Sequence, residues 1–126
     1  MTATAAIAFE TQIPILRIFD ETLARDFYVG WLGFTIDGEH RFEPETPLYM
    51  MVSRGAFQLH LSEHVGDATP GSTVFVPMTG IRAFHAELQS RPWRLYNPGL
   101  GPAPWGGLCM EVQDPFGNRL RFSERA

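Results

Sequence analysis

Sulfur chemistry is nearly absent from this chain: Cys109 is the single cysteine in 126 residues, so no intrachain disulfide can form, and a reducing compartment is expected. No apolar run is long enough to cross a bilayer, and the opening Met-Thr-Ala-Thr-Ala-Ala-Ile-Ala-Phe-Glu lacks the basic start of a secretory signal. The expected location is therefore the cytoplasm, with no membrane partner. Positive charge is also short. Ten cationic side chains stand against fourteen acids, a net charge of −4, which argues against a nucleic-acid partner and permits a cationic ligand. Phosphate-cradling motifs are missing too, because Gly99-x-Gly101 lies in a proline-rich stretch with no helix behind it. No two acids have a spacing that forces them together for acid–base work. His60, Glu63 and His64 do not make the His-Glu-x-x-His pattern of a helical zinc site.

What the chain does have is turns and an internal repeat. Ten prolines and twelve glycines favour a β-rich fold over a helical bundle, and the length suits one domain. The first unit opens with the apolar run Ile13 to Phe19, followed by Asp20 as a helix N-cap. Ala24, Phe27, Tyr28 and Trp31 then form an apolar stripe at 3-4-3 spacing, which predicts a helix ending near Trp31 with Gly33 as its stop. Strands are expected near Thr35 to Phe42, Leu48 to Ser53 and Ala56 to Ser62. The pattern restarts about sixty residues on, with a strand at Thr73 to Met78 and Thr79 or Gly80 standing where Asp20 stood. A second helix carries Ile81, Phe84, His85 and Leu88 on one face. Trp93 to Tyr96 is expected as a strand and Asn97 to Pro104 as an irregular loop.

The last stretch, Trp105 to Phe122, reads as two strands around Asp114-Pro115-Phe116-Gly117-Asn118. Pro115 fixes φ at a turn position, and Gly117 and Asn118 tolerate positive φ. This hairpin, at the end of a strand–helix–three-strand unit that occurs twice between residues 12 and 123, resembles the vicinal oxygen chelate superfamily of glyoxalases, extradiol dioxygenases and bleomycin-resistance proteins. Pro104-Trp105-Gly106 and the segment Leu59 to Ser72 are most similar to the bleomycin-resistance and glyoxalase-like group. The resemblance implies an α+β fold in which two βαβββ modules form an open, barrel-like mixed β-sheet cleft with the helices packed outside. Residues 1–126 would form a single domain, with module 1 at about 12–64, a linker at about 65–72 and module 2 at about 73–123. Each module leaves one sheet face open, so two must close on each other, within one chain or as exchanged halves of two. A homodimer is implied.

In the metalloenzymes of that superfamily the strand after the turn carries a metal-ligating Glu. The matching position here is Arg121, a guanidinium that stays protonated and cannot ligate. First-strand ligand positions fall near Ile13 and Thr73, with Gln12 one residue away, and the fourth strand offers Gln58 and His60. That is no ligand set for a common divalent ion, so no metal and no cofactor are expected. Cys109, between Leu108 and Met110, reads as a small buried hydrophobe rather than a nucleophile; Glu111 shares its strand face. His60 reads as a core or rim residue, His85 as a boundary residue and His40 as surface.

Aromatics are the better site candidates. Trp31, Phe34, Phe42, Tyr49, Phe57, Trp93, Tyr96 and Trp105 can serve core, interface or ligand, and Trp105 stands apart in its Pro-Gly loop. Asp37, Glu39, Glu43 and Glu45 form either a solvated loop or an acidic lip beside a pocket. The expected ligand-binding set is Trp105, Phe34, Phe42, Tyr49, His60 and Arg121 with the acids Glu39 and Glu43. The resemblance implies a metal-free protein that sequesters a cationic or heteroaromatic antibiotic of the bleomycin type without modifying it. Two other readings stay open: a glyoxalase-like or lyase-like enzyme using His60, Glu111 and Gln12, and a metabolite-binding module.

Overall fold

The computed structural model describes residues 5–93 and 97–126. Strand β1 (Ile15–Arg17) leads into α1 (Glu21–Ala24), where Asp20 accepts a 2.9 Å hydrogen bond from the Leu23 N–H and so satisfies an orphan donor of the first turn. The helix then widens into a π-helical stretch, Arg25–Trp31, which the apolar periodicity did not predict. Its wider turn ends in the 2.9 Å bonds from Leu32 N to Phe27 O and from Phe34 N to Tyr28 O. The stripe still works: Ala24, Phe27, Tyr28 and Trp31 are all buried. Gly33 ends the segment with a φ of 81°, as its place in the sequence requires.

Strands β2 (Thr35–His40), β3 (Tyr49–Arg54) and β4 (Phe57–Ser62) complete the first unit. After it come β5 (Thr73–Pro77), α2 (Ile81–Ser90), β6 (Leu100–Pro102), β7 (Leu108–Gln113) and β8 (Arg119–Glu124). The result is α+β with two open, mixed four-stranded sheets, ordered β1-β4-β3-β2 and β5-β8-β7-β6. A helical crossover separates the opening strand of each unit from its sheet neighbours, so β1 runs parallel to β4 and β5 parallel to β8, while the hairpin-linked pairs run antiparallel. No helix among the described residues is long and apolar enough to cross a membrane.

One strand lies where a loop was expected. Trp93 makes an isolated bridge, and Arg94 to Tyr96 fall outside the described residues. Strand β6, which pairs with β7 on the side away from β8, lies inside the stretch expected to be an irregular loop. The prolines there are tolerated because β6 is an edge strand with one neighbour, so a missing N–H breaks no ladder. The cap of α2 also differs from that of α1. Gly80 holds the N-cap position with a φ of 82° and no side chain to offer, and the Glu124 carboxylate at the end of β8 accepts from Ile81 N at 2.9 Å.

Side-chain alternation along the strands decides which face is buried. Leu16, Met50, Val52, Leu59 and Leu61 of the first sheet and Met110, Val112, Leu120 and Phe122 of the second share one buried core with the apolar sides of the helices. Truncating any of these to alanine costs about 2–5 kcal/mol. The modules are locked together on this side. Trp31 Nε1 donates to Leu88 O at 3.3 Å, and Phe27 meets Trp93 edge-on at 5.6 Å. Buried Asp114 accepts from Tyr28 Oη at 2.6 Å and from the N–H groups of Phe116 and Asn118 at 2.9 and 2.8 Å. Asn118 Nδ2 reaches back to Arg17 O at 2.8 Å. The Asp-Pro-Phe-Gly-Asn turn therefore ties the second module to the first as well as reversing the chain. Among the described residues no helix covers the opposite face of either sheet.

Candidate ligand-binding site

The uncovered sheet faces hold the candidate groups in two clusters. On the second sheet, Val74 and Val76 point to the core side and leave Phe75 on the open face, 52% exposed. Trp105, in the turn between β6 and β7, meets Phe75 at 5.9 Å with the rings inclined at 61°. Its Nε1 donates to Ser123 Oγ at 3.1 Å, which fixes the indole while 56% of the residue stays exposed. Gly107 makes this turn possible. It has a φ of 74°, and a Cβ there would run into the Glu124 carbonyl oxygen. Phe75, Pro77, Trp105, Ser123 and Arg125 enclose a hollow of about 210 Å³. Beside it Arg121 is paired with Glu111 at 3.0 Å across β8 and β7.

On the first sheet, Tyr49 Oη and His60 Nδ1 are 2.6 Å apart. Burial, with the Asp67 carboxylate second, raises the pKa of the Tyr49 phenol, so the hydroxyl keeps its proton and can donate to Nδ1. Phe42, 76% exposed, packs edge-on to His40 at 4.9 Å and to His64 at 6.3 Å.

Of the expected site residues, Trp105 and Arg121 lie on the second sheet, and Phe42, Tyr49 and His60 lie on or beside the first. Phe34 belongs to neither open face: it is buried, 4% exposed, and packs on Tyr28 and Phe57. Glu39 turns back to pair with Arg25 on the helix, so its charge is spent within the chain. Glu43 is exposed at a turn closed by its own backbone contacts with Thr46. Tyr96 lies outside the described residues. Cys109 is half-buried on the open face instead of buried, because Met110 and Val112 take the inward positions of β7. Phase alone could have exposed Phe75, since a residue between two inward valines of a strand must face outward.

The strand register shows which residues stand at the open-face positions of the opening strands. Ile15, and not Ile13, stands opposite His60, and Phe75, and not Thr73, stands opposite Arg121. These open-face positions supply one imidazole among a guanidinium, an aliphatic chain and a phenyl ring. Among the described residues no group of three or more His, Cys, Asp or Glu side chains is placed to hold a metal ion. The donor set does not fit a divalent ion, which needs about three such ligands.

Paired βαβββ units with open sheet faces are the architecture of the vicinal oxygen chelate class. A family described as "Glyoxalase superfamily protein" matches residues 1–126, and the chain belongs to that superfamily. Several solved structures are similar in fold. The bleomycin-binding protein of the bleomycin producer Streptomyces verticillus, complexed with copper(II)-bleomycin, is 28% identical, with a TM-score of 0.71 over 96% of this chain and 100% of that one. An antibiotic-binding protein from Streptomyces sp. CB03234 is 21% identical, with a TM-score of 0.72 over 96% of this chain and 100% of that one. The bleomycin resistance determinant encoded on transposon Tn5 is 19% identical, with a TM-score of 0.69 over 93% of this chain and 98% of that one. No curated protein matches the chain in sequence.

Proposed function

We propose that the protein binds a flat heteroaromatic antibiotic of the bleomycin type and sequesters it unmodified in a cleft between two copies of the chain. The observation that carries this reading is the Trp105–Phe75 platform: a fixed yet exposed indole on an uncovered sheet. Stacking on such a ring is worth about 0.5–1.5 kcal/mol beyond the area buried. The poor fit of the open-face residues to a metal ion favours binding over metal-assisted chemistry, and solved structures of similar fold are complexed with bleomycin.

The split of the candidate residues between two sheets supports a homodimer. Ile15, Phe19, Phe75 and Trp105 are exposed apolar side chains, and a second copy that set the first sheet of one chain against the second sheet of the other would cover them. The same arrangement would bring the Phe42, Tyr49 and His60 group toward Trp105. A positive charge on the ligand would find Glu43, which has no ion-pair partner among the described residues.

Tryptophan-fluorescence titration with metal-free and copper-loaded bleomycin tests the reading. Saturable quenching at one or two drugs per dimer, lost in Trp105→Ala, is expected. No quenching at tens of micromolar drug, about −6 kcal/mol or weaker, refutes bleomycin as the ligand. A monomeric mass by light scattering at the same protein concentration refutes the shared cleft.

A further inference from the structure

A run of five rings crosses the open side of the first sheet. His40 meets Phe42 at 4.9 Å, Phe42 meets His64 at 6.3 Å, His64 meets Tyr49 at 6.5 Å and Tyr49 meets His60 at 5.2 Å. The strands explain the placement. Met50 and Val52 of β3 and Leu59 and Leu61 of β4 are buried on the core side, so Tyr49, Met51 and His60 project from the other. Met51 is the partner of His60 in the antiparallel register, and its side chain lies over Gly38, where a Cβ would come within 2.7 Å of the Met51 methyl carbon. Met51 and Ile15, the residue opposite His60 on β1, therefore give the rings an apolar floor.

One hydrogen bond gives this patch a direction. The Tyr49 phenol lies 2.6 Å from His60 Nδ1 and has no other hydrogen-bond partner among the described residues. Its O–H therefore has Nδ1 as acceptor, and a neutral imidazole that accepts at Nδ1 carries its proton on Nε2. Burial, and then the Asp67 carboxylate, which takes a 2.6 Å bond from Ser62 Oγ, oppose ionisation of the phenol and keep it a donor. His60 Nε2 itself has no partner among the described residues. Asn118 Oδ1 is the only buried side-chain nitrogen or oxygen among them left unpartnered, so Nε2 is open to solvent. The pair presents an oriented N–H with no acceptor of its own.

We propose that the His60 Nε2–H is a hydrogen-bond donor to the ligand, and that the ligand is therefore a flat heteroaromatic compound with a ring-nitrogen or carbonyl acceptor on its edge. Tyr49 is the positioning residue, acting through the tautomer it imposes on His60. The inference rests on the reading that a heteroaromatic ligand lies across the open sheet faces, and it adds how the ligand's edge is recognised while Trp105 takes a ring face. It also makes His60 a poor metal ligand, because Nδ1 is taken and Nε2 is protonated.

Long-range proton–nitrogen NMR of the guest-free protein in mildly alkaline buffer tests the tautomer, with His60→Phe identifying the His60 signals. The proton is expected on Nε2, and Tyr49→Phe is expected to move the Nδ1 resonance and let the other tautomer appear. Benzothiazole and benzothiophene then test the donor, since they share size and shape and only the first has a ring-nitrogen acceptor. Benzothiazole is expected to move the His60 Nε2 resonance saturably and to bind about three- to tenfold more tightly than benzothiophene, a preference that shrinks in Tyr49→Phe and vanishes in His60→Phe. The proposal is overturned by a proton on Nδ1, by equal binding of the two compounds, by an unmoved Nε2 resonance at about 1 mM benzothiazole, or by a preference that survives in His60→Phe. The bleomycin titration decides the platform separately. Quenching by the drug alongside any of those results keeps the platform and removes the His60 contact, whereas absent quenching with the expected His60 response removes bleomycin and keeps the donor.

Discussion

Replacing Tyr28 by phenylalanine removes one oxygen from a fully buried polar contact. The phenol donates to Asp114 Oδ2 at 2.6 Å, and both residues are buried. A hydrogen bond to a charged group contributes about 1.5–3 kcal/mol, and the ring itself stays packed, so Tyr28→Phe should cost about 2 kcal/mol. That corresponds to a fall in Tm of roughly 6–10 °C for a domain of this size. The pH dependence carries a second signature. Burial raises the Asp114 pKa above 3.8, and the hydrogen bond from Tyr28 is the largest effect pulling it back down. A raised pKa means the folded state holds the proton more tightly, so this group's contribution is complete below 3.8 and is lost as pH rises through the folded value. Without the phenol that value climbs further. The difference between the variants should therefore widen from pH 3.5 toward pH 7, as urea titrations followed by tryptophan fluorescence would show. A loss under about 0.5 kcal/mol, or one that does not change with pH, would refute the reasoning.

Gly107→Ala forces a side chain against the Glu124 carbonyl at a positive φ, so it should cost about 1–3 kcal/mol, displace Trp105 and weaken ligand quenching more than it lowers stability. Quenching that survives at full amplitude would show that the turn does not set the platform. Arg54, then Arg91, hold the Glu87 pKa at about 2, below its ordinary 4.5. Its contribution is present above pH 4.5 and is lost as pH falls through about 2, so Glu87→Gln should flatten the acid limb of a stability–pH profile; an unchanged limb would count against that ion pair. Arg121→Glu restores the residue that the superfamily's metalloenzymes carry, yet Ile15 and Phe75 still offer no donors, so elemental analysis after zinc dialysis should find no stoichiometric metal.

Features governed by local rules were legible in the sequence. The Ala24–Trp31 stripe, the stop at Gly33 and the β7–β8 hairpin follow from periodicity and turn chemistry within a dozen residues. The α2 cap was not, because its acceptor, Glu124, lies 43 positions away. Nor was the π-helical turn, which keeps the same buried stripe as an α-helix would. Edge strand β6 was hidden by its prolines, which ordinarily signal a loop. The sequence names candidate site residues but cannot group them. Strand pairing puts Tyr49 on the first sheet and Trp105 beside the second, and Glu39 is claimed by a helical arginine that no spacing rule links to it.

The Asp114 cluster also bears on whether this duplicated chain can be divided. Its bonds span 86 positions to Tyr28 and 101 from Asn118 to Arg17. A fragment holding only the second unit would keep the buried carboxylate and lose the phenol, and a fragment holding only the first would leave the phenol without its acceptor. Although the units repeat in order and shape, each half taken alone leaves a buried partner of this cluster without its counterpart. Cutting the chain between the units would therefore expose or orphan a carboxylate that the intact chain keeps buried and bonded.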